Sequence, residues 1–225
     1  MNLLKQKQIN KNILIIPARG GSKGIKKKNL IQINDKPLLH WTLKEAKKSK
    51  LIDRILISTD DTQISKFVKT YDVGVVKRPK SISGDHSSSE SAIIHVIKRL
   101  KNNFLSDDLI IFLQCTSPLI THEDIDKGIT FLKKNNLDST FACTFFKGFL
   151  WKEENKKMIG INHNEKKRLM RQNIQKQFLE TGSIYIMKTK IFLREKYRFC
   201  GNCRPFFIDK IKNLDIDHNE DIAAA

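Results

Sequence analysis

Short apolar runs alternate with amphipathic segments along most of this chain. The runs are rich in Ile, Leu, Val and Phe, and they predict buried strands at 13–16, 54–59, 73–76, 109–113, 139–145, 182–187 and 206–208. Apolar residues three or four positions apart predict helices at 37–48, 62–71, 90–100 and 123–134, with a further helix start at 219. Strands that alternate with helices over short connections predict a mostly parallel sheet flanked by helices, a Rossmann-like α/β fold.

Polar or glycine-bearing segments follow the ends of several predicted strands. They are 17–29, 60–61, 78 and 114–118. Ligands bind at the carboxyl ends of strands in such sheets, so these segments predict one shared site. The long polar connection KRPKSISGDHSSSE starts at Lys77. Within it, Ser87 and Glu90 have the spacing of a capping box, and a ligand contact at the same helix start is compatible with that role.

The first of these segments runs from Ala18 to Asn29 with the sequence ARGGSKGIKKKN. Its glycines let backbone amides approach a ligand closely, and its cations suit a polyphosphate. The cations are Arg19, Lys23, Lys26, Lys27 and Lys28. The spacing excludes a Walker loop, G-x-x-x-x-G-K-[ST], and a dinucleotide fingerprint, G-x-G-x-x-G. By composition alone, the segment fits either a phosphate-binding loop or a mobile basic turn.

The composition fits one globular domain over residues 1–225, with 40% hydrophobic residues. The formal net charge of +18 raises the question of nucleic-acid binding. Lysines scattered over helix faces, as in KEAKKSK from Lys44, favour a solvated surface instead, so we expect no nucleic-acid partner. No apolar run approaches the roughly 20 residues that span a bilayer. The N-terminus lacks a signal-peptide core, so we expect a cytoplasmic protein without a membrane partner.

The four cysteines fit free thiols in that compartment. Cys200 and Cys203 form a C-x-x-C, but Cys115 and Cys143 lie far apart and supply no second pair with zinc spacing. We therefore expect structural cysteines, and a metal or redox role for the C-x-x-C is the alternative.

Motifs spread over nearly the whole chain occur in a fixed order. They are IPARGGSKGI followed by KN, then KPLLHWTL, ISTDD, KRP, LQCTSPL, TGSIY and LDIDHNED. This order resembles the CMP-sialic acid synthetases, the acylneuraminate cytidylyltransferases that activate sialic acid and related nonulosonic acids. The resemblance implies a nucleotide-diphospho-sugar transferase fold and an enzyme that joins CTP to an acidic nine-carbon sugar. The products would be a CMP-sugar and pyrophosphate, and the cofactor would be Mg²⁺.

The resemblance also implies a role for individual residues. Catalysis would fall to Arg19, Lys28 and Asp217. Nucleotide contacts would come from Ala18, Arg19, Gly20, Ser22, Lys23, Asn29, Arg78, Ser89 and Gln114, with Arg78 and Ser89 on the cytosine edge.

Asp215 and Asp217 would bind Mg²⁺. The residues themselves agree with this role, because carboxylates at i and i+2 of an extended segment lie on the same side and are stabilised by a shared cation. Alone, a D-x-D triplet is also common at strand ends and helix caps.

The acceptor pocket matches the family less closely. Sugar contacts would come from Gln114, Arg171 and Tyr185, with Arg171 supplied by the other subunit. The better-known sialate enzymes have Pro at Cys115, Arg at Ile120, and Asn-Gly where this chain has Thr181-Gly182. Legionaminate, pseudaminate or another nonulosonate is therefore as consistent with the sequence as N-acetylneuraminate.

The alternation of strands and helices fails between Phe146 and Phe178, and this polar stretch predicts a hairpin or an irregular insertion. The resemblance implies that residues 146–178 form a dimerisation arm, and hence a homodimer. Two rival functions remain open. One is a 3-deoxy-manno-octulosonate cytidylyltransferase, which keeps the fold and changes the acceptor. The other is a non-catalytic basic module that binds nucleotides or RNA in a salt-sensitive way.

Overall fold

The computed structural model describes residues 10–22, 24–100, 104–167 and 169–224 of the chain. The strands are β1 (Asn12–Pro17), β2 (Gln32–Ile33), β3 (Lys36–Pro37), β4 (Arg54–Thr59), β5 (Gly74–Lys77), β6 (Leu109–Leu113), β7 (Ser139–Phe146), β8 (Trp151–Glu154), β9 (Lys157–Gly160), β10 (Gln177–Lys188) and β11 (Cys203–Phe207). The α-helices are α1 (Leu38–Lys48), α2 (Thr62–Val68), α3 (Ser89–Arg99), α4 (His122–Lys134), α5 (Thr189–Glu195) and α6 (Asn219–Ala223).

The main sheet has the strand order β11-β7-β10-β6-β1-β4-β5. Strand β1 lies between β6 and β4 in this sheet and pairs in parallel with both, so that Ile15 stands opposite Leu56 and Phe112. Strand β10 runs antiparallel to both β6 and β7. The predicted mostly parallel sheet flanked by helices is confirmed.

The core lies on both faces of this sheet. Leu14 and Ile16 pack on one face with apolar residues of α1 and α4, whereas Ile13 and Ile15 pack on the other with α3. All four side chains are fully buried. A strand covered on both faces needs apolar residues at every position, which explains the continuous run in β1.

Helix α3 begins differently from the prediction, and the proposed capping box of Ser87 with Glu90 is wrong. The N-cap is Ser88, whose Oγ accepts a hydrogen bond from the Ser91 amide at 3.1 Å. Glu90 instead pairs with Arg198, with 2.6 Å between Oε1 and Nε. A tertiary partner 108 residues away therefore takes the carboxylate that the local pattern assigned to the cap.

Other differences arise where strands and helices meet. Helix α2 ends at Val68 and continues as a 3-10 helix over Lys69–Tyr71. Helix α5 was not predicted, and β10 is longer than the predicted strand at 182–187. In the insertion, β8 and β9 pair as an antiparallel hairpin. None of the helices among the described residues combines the length and hydropathy that a bilayer crossing requires.

Replacing Gly128 in α4 with alanine has two opposing effects on stability. Replacing glycine with alanine inside a helix normally stabilises it by about 1 kcal/mol. Here an added Cβ would lie 2.8 Å from Ile186 Cδ1 and 2.8 Å from Phe206 Cζ, in the core under the sheet. Overpacking of this kind costs about 1–3 kcal/mol, so we expect Gly128→Ala to lower the free energy of unfolding by about 1–2 kcal/mol. Urea denaturation measures this change.

Lys133→Ala is the control, because Lys133 is exposed in the last turn of the same helix. We expect its unfolding midpoint to stay close to that of the unmodified chain. A higher midpoint for Gly128→Ala would contradict the close packing of α4 on β10 and β11.

Candidate active site

A cleft of about 270 Å³ opens at the carboxyl ends of β1 and β6. Its walls combine residues of the glycine-rich loop, the start of α3 and the segment after β6. The lining residues are Pro17, Arg19, Ser22, Gly24, Lys28, Asn29, Ser89, Phe112, Gln114, Cys115, Thr116 and Asp217. Of the four segments predicted to share a site, 17–29 and 114–118 therefore line one cavity, whereas 60–61 and 78 are not among its lining residues.

The loop after β1 is held against its neighbours by side chains that face inward. Asn29 is buried, donates from Nδ2 to the Arg19 carbonyl at 2.8 Å, and accepts from Cys115 Sγ at 2.6 Å. The Gly20 amide donates to Asp60 Oδ1 at 3.0 Å. These bonds fix the loop to the ends of β4 and β6, which disagrees with a freely mobile basic turn.

Lys28 and Asp217 meet across this cleft, although 189 residues separate them. Lys28 Nζ lies 2.7 Å from Asp217 Oδ1, and the side chains are 17% and 59% exposed. The loop also approaches the main chain of Asp217 closely, because a Cβ at Gly24 would overlap the Asp217 carbonyl oxygen. The structure thus brings the predicted cationic loop and the predicted acidic triplet into contact.

Arg19 has partners of its own on the opposite side of the loop. Its Nη1 lies 3.1 Å from Asp85 Oδ1 and donates to the Gly84 carbonyl at 2.9 Å. The guanidinium is part of the cleft wall. Both predicted catalytic cations are therefore present in the cleft, each held by a carboxylate.

Asp215 lies beside Asp217 but is much less exposed to water. Ile216 between them is fully buried, and its amide donates to the Thr116 carbonyl at 2.8 Å. Burial raises the pKa of Asp215, and the charge of Asp217 raises it further, while Thr116 and Lys28 act in the opposite direction. Among the described residues, Asp215 Oδ1 is a buried oxygen without a hydrogen-bond donor. Such an oxygen beside a second carboxylate fits a divalent cation.

The predicted base-binding residues divide into two groups. Ser89, the first residue of α3, lines the cleft. Arg78 is buried and donates to Ser58 through Nε at 3.1 Å and Nη2 at 2.7 Å. The Ala18 amide donates to the same Ser58 carbonyl at 2.9 Å. Arg78 and Ala18 therefore support the end of β4, and the described cleft wall includes neither of them.

The predicted sugar-binding residues lie around β10. Gln114 lines the cleft and donates from Nε2 to the Gly182 carbonyl at 2.5 Å. Gly182 has a φ of +72°, a conformation that side chains other than glycine rarely adopt. Tyr185 is 1% exposed and stacks on Phe112, with 5.3 Å between ring centroids. Tyr185 thus supports the cleft from behind Phe112, and its hydroxyl donates to Glu180.

Two predicted residues fall partly or wholly outside the described part of the chain. Lys23 is not among the described residues, so its assignment to the phosphates stays a prediction. The backbone of Arg171 belongs to a 3-10 helix, Arg171–Asn173. The assignment of its side chain to the acceptor lies outside what the structure describes.

Two residues at or beside the cleft were not found from the sequence. Phe112 lines the cleft, and Arg198 lies over the rings of Phe112 and Tyr185. Phe112 lies inside a predicted core strand, where every residue looks structural. Arg198 lies in an irregular segment, and no local motif marks it.

A second group of possible metal ligands lies between α1 and α4. It consists of Glu45, His122 and Glu123. These side chains already bind one another, with 2.8 Å from His122 Nδ1 to Glu45 Oε2 and 3.0 Å from His122 Nε2 to Glu123 Oε1. Lys48 also pairs with Glu45 at 2.6 Å. We interpret the group as a contact between helices.

Comparison with known proteins identifies the family. A model of the cytidylyltransferase family matches residues 13–222, which include the cleft and all of the main sheet except Asn12. The chain belongs to the cytidylyltransferase family. The predicted resemblance is confirmed, and so is the prediction of a nucleotidyltransferase enzyme as opposed to a non-catalytic module.

Curated relatives of this cytidylyltransferase have named acceptors. A pseudaminic acid cytidylyltransferase of Campylobacter jejuni is 29% identical, over 96% of this chain and 94% of its own length. An N-acylneuraminate cytidylyltransferase A of Danio rerio is 30% identical, over 90% of this chain and 47% of its own length.

Solved structures share the fold at lower identity. A CMP:2-keto-3-deoxy-manno-octonic acid synthetase in complex with CTP is 17% identical, with a TM-score of 0.65 over 88% of this chain and 90% of that one. A 4-diphosphocytidyl-2C-methyl-D-erythritol synthase is 16% identical, with a TM-score of 0.70 over 96% of both chains.

Buried cysteines of the cytidylyltransferase are expected to react slowly with thiol reagents while the protein is folded. Burial raises the pKa of Cys115 to about 12 and the pKa values of Cys143 and Cys200 to about 11. Burial also raises the pKa of Cys203. A rise from 9.0 to about 11 lowers the thiolate fraction near neutral pH about 100-fold, so we expect Cys115, Cys143 and Cys200 to react at least about 100-fold more slowly in the folded protein than in the unfolded chain with a chromogenic disulfide reagent at pH 8.

The unfolded chain in urea is the control, where all four thiols should react. Rapid reaction of two thiols in the folded protein, followed by a disulfide between Cys200 and Cys203, would support the redox alternative instead.

Proposed function

We propose that this cytidylyltransferase joins CTP to a nonulosonic acid and forms a CMP-sugar and pyrophosphate. The Campylobacter relative, named for pseudaminic acid, aligns with almost the whole chain. The contact between Lys28 and Asp217 carries the proposal, because it unites a polyphosphate loop and an acidic pair in one cleft. A cleft with both features suits a nucleoside triphosphate and a cation.

In this reaction the anomeric hydroxyl of the sugar attacks the α-phosphorus of CTP and pyrophosphate leaves. Negative charge collects on phosphate oxygens while an acidic sugar approaches a polyanion. Arg19, Lys28 and the amides of the glycine-rich loop stabilise that charge, since fixed donors in a partly buried cleft need little reorganisation. Lys28 is well placed for this role because only 17% of its side chain is exposed.

We assign Mg²⁺ binding to Asp215 and Asp217. The buried Asp215 Oδ1 without a donor and the neighbouring Asp217 carboxylate are the oxygen ligands that Mg²⁺ prefers. The ion, when bound, supplies positive charge to phosphate oxygens and helps to orient them. Lys28 balances the charge of Asp217 in the structure described here.

The remaining nucleotide contacts follow from the positions of the residues. Ser22, Asn29, Ser89 and Gln114 line the cleft, where they would contact a nucleotide directly, and Gly20 would lie beside its phosphates. Arg78 donates to Ser58 through Nε and Nη2, which leaves other guanidinium N–H groups for the carbonyl of cytosine. Lys23 on the phosphates and Arg171 on the sugar carboxylate are kept as assignments from the family resemblance.

A nonulosonate is favoured over the eight-carbon octulosonate as acceptor. The octonic acid synthetase is similar at 17% identity, which supports the shared fold alone. The relatives named for nonulosonic acids align at 29% and 30% identity. We also propose a cytoplasmic location, because CTP and four free thiols both fit that compartment.

Release of pyrophosphate tests this function. We expect turnover with CTP, Mg²⁺ and at least one of pseudaminate, legionaminate and N-acetylneuraminate, with CTP preferred over other triphosphates. Asp217→Ala removes a proposed metal ligand, whose contribution to charge stabilisation is several kcal/mol. We therefore expect kcat/KM to fall at least about 100-fold while the unfolding midpoint is retained.

Asp107→Ala is the matched control, because Asp107 is an exposed carboxylate next to the amino end of β6, across the sheet from the cleft. We expect unchanged turnover in that variant. Equal activity of both variants would contradict the assignment of Asp217 as a metal ligand. Turnover with the octulosonate alone would show that the octulosonate, and not a nonulosonate, is the acceptor.

We also propose that residues 146–178 form a dimerisation arm. Large apolar side chains are exposed along it and on the adjoining strands: Phe145 at 51%, Trp151 at 47%, Met158 at 58%, Met170 at 67% and Phe178 at 48%. Phe145 and Phe178 both pack against Phe207, with centroid distances of 4.4 and 5.2 Å. An exposed apolar patch of this kind marks a protein interface.

Dimerisation through the arm predicts a particle of twice the chain mass of 26.1 kDa. Replacing Phe145 and Phe178 together with glutamate places two like charges in the patch, so we expect a monomer by light scattering after gel filtration. Leu193→Glu, at an exposed apolar residue of α5, is the control and should remain dimeric. A monomeric unmodified chain would contradict the arm.

A further inference from the structure

A largely buried ion pair adjoins the cleft, and the proposed reaction does not use it. Arg198 Nε donates to Glu90 Oε1 at 2.6 Å, and the two side chains are 18% and 11% exposed. The pair joins the first turn of α3 to the irregular segment after α5. Ser88 caps α3, so Glu90 is not needed to begin the helix.

The guanidinium lies over two aromatic rings, one of which belongs to the cleft wall. Its Cζ is 4.5 Å from the ring centroid of Tyr185 and 5.0 Å from that of Phe112. Phe112 lines the cleft, and so does Ser89, the neighbour of Glu90. The pair therefore borders the part of the cleft between α3 and β10, away from the contact of Lys28 with Asp217.

Burial of such a pair is a weak source of stability. Desolvation of both charges offsets much of their attraction, and apolar residues of similar size often stabilise a protein as well or better. A buried pair next to a ligand cleft is therefore better explained by what it offers the ligand. Stacking on two rings also limits the motion of the guanidinium, so little rotamer freedom is lost on binding.

The chemistry of the pair indicates a particular kind of group. A guanidinium has five N–H donors, of which one bonds Glu90 and another the Tyr185 hydroxyl, while the Glu90 carboxylate offers acceptors alone. Together they carry no net charge, so they have less attraction for a carboxylate than a free arginine would have. A neutral acylamino group, with one N–H donor and one carbonyl acceptor, matches this pattern of donor and acceptor.

We propose that Arg198 and Glu90 determine acceptor specificity by recognising an acylamino substituent of the sugar. This inference rests on the proposed function, since it names the part of the acceptor that the same cleft selects. Arg198 donates to the amide carbonyl, and Glu90 accepts from the amide N–H. The sugar carboxylate and the reacting hydroxyl are bound elsewhere in the cleft.

Comparison of two acceptors tests the proposal. N-acetylneuraminate and pseudaminate carry acylamino groups, whereas the octulosonate has none and carries hydroxyls in addition to its carboxylate. Arg198→Met keeps an apolar cover on Phe112 and Tyr185 but removes the donors. We expect the ratio of kcat/KM for the better nonulosonate to kcat/KM for the octulosonate to fall at least about 10-fold, because a lost hydrogen bond to a charged group discriminates by that much or more. The KM for CTP should change less than about twofold.

Two further variants separate recognition from a structural role. Arg194→Met removes an exposed arginine of α5 that pairs with Glu195, and it should leave the ratio unchanged. Arg198→Lys keeps the charge without the planar fork, and it should not restore the ratio.

The outcomes separate this inference from the proposed function. Turnover by the unmodified enzyme with a nonulosonate supports the proposed function whatever Arg198 does. The specificity role is overturned if the unmodified enzyme is active and Arg198→Met lowers kcat/KM equally for both acceptors. It is also overturned if Arg198→Met raises the KM for CTP in parallel. Absence of turnover by the unmodified enzyme with every nonulosonate would overturn both.

Discussion

A cleft for a triphosphate must hold several cations close together before the ligand arrives, and this constraint shapes the site. The protein meets it with carboxylates from distant parts of the chain. Lys28 is paired with Asp217 and Arg19 with Asp85, at 2.7 and 3.1 Å. Each pair lowers the repulsion between the cations and fixes their positions. The same carboxylates then compete with the phosphates, so ligand binding exchanges partners in a cleft whose charges are already arranged.

The sheet explains why these distant residues can meet. Parallel pairing of β1 with β4 and β6 brings the carboxyl ends of three strands to one edge, and the loop after each strand contributes to the cleft. Asp217 reaches this edge because the Ile216 amide donates to the Thr116 carbonyl, just after β6. The site depends on main-chain pairing as much as on its charged side chains, which is consistent with a fold shared by relatives at 16–17% identity.

The sequence predicted the central strands and most helices because their apolar patterns are dictated by burial on two faces or on one. It failed where a tertiary contact decides. Glu90 has the spacing of a cap residue, yet Arg198 binds it, and Ser88 takes the cap. The motif that contains Arg78 likewise does not show that its guanidinium binds Ser58. The glycines and cations of the phosphate loop could be recognised from the local sequence. The hydrogen bond from Gly20 to Asp60 could not, because it depends on the position of β4 relative to β1.

The two halves of the cleft differ in how their residues are constrained. In the half that we propose for the nucleotide, backbone amides, glycines and fixed cations would meet phosphates that every nucleoside triphosphate shares, so few substitutions would be compatible with function. In the half that we propose for the acceptor, Tyr185, Phe112 and the Arg198–Glu90 pair contact one another through their side chains. Such a group of side chains can exchange an ion pair for apolar residues without disturbing the sheet, because the pair contributes little net stability. One fold can therefore keep CTP as donor while its acceptor changes through a few residues around β10.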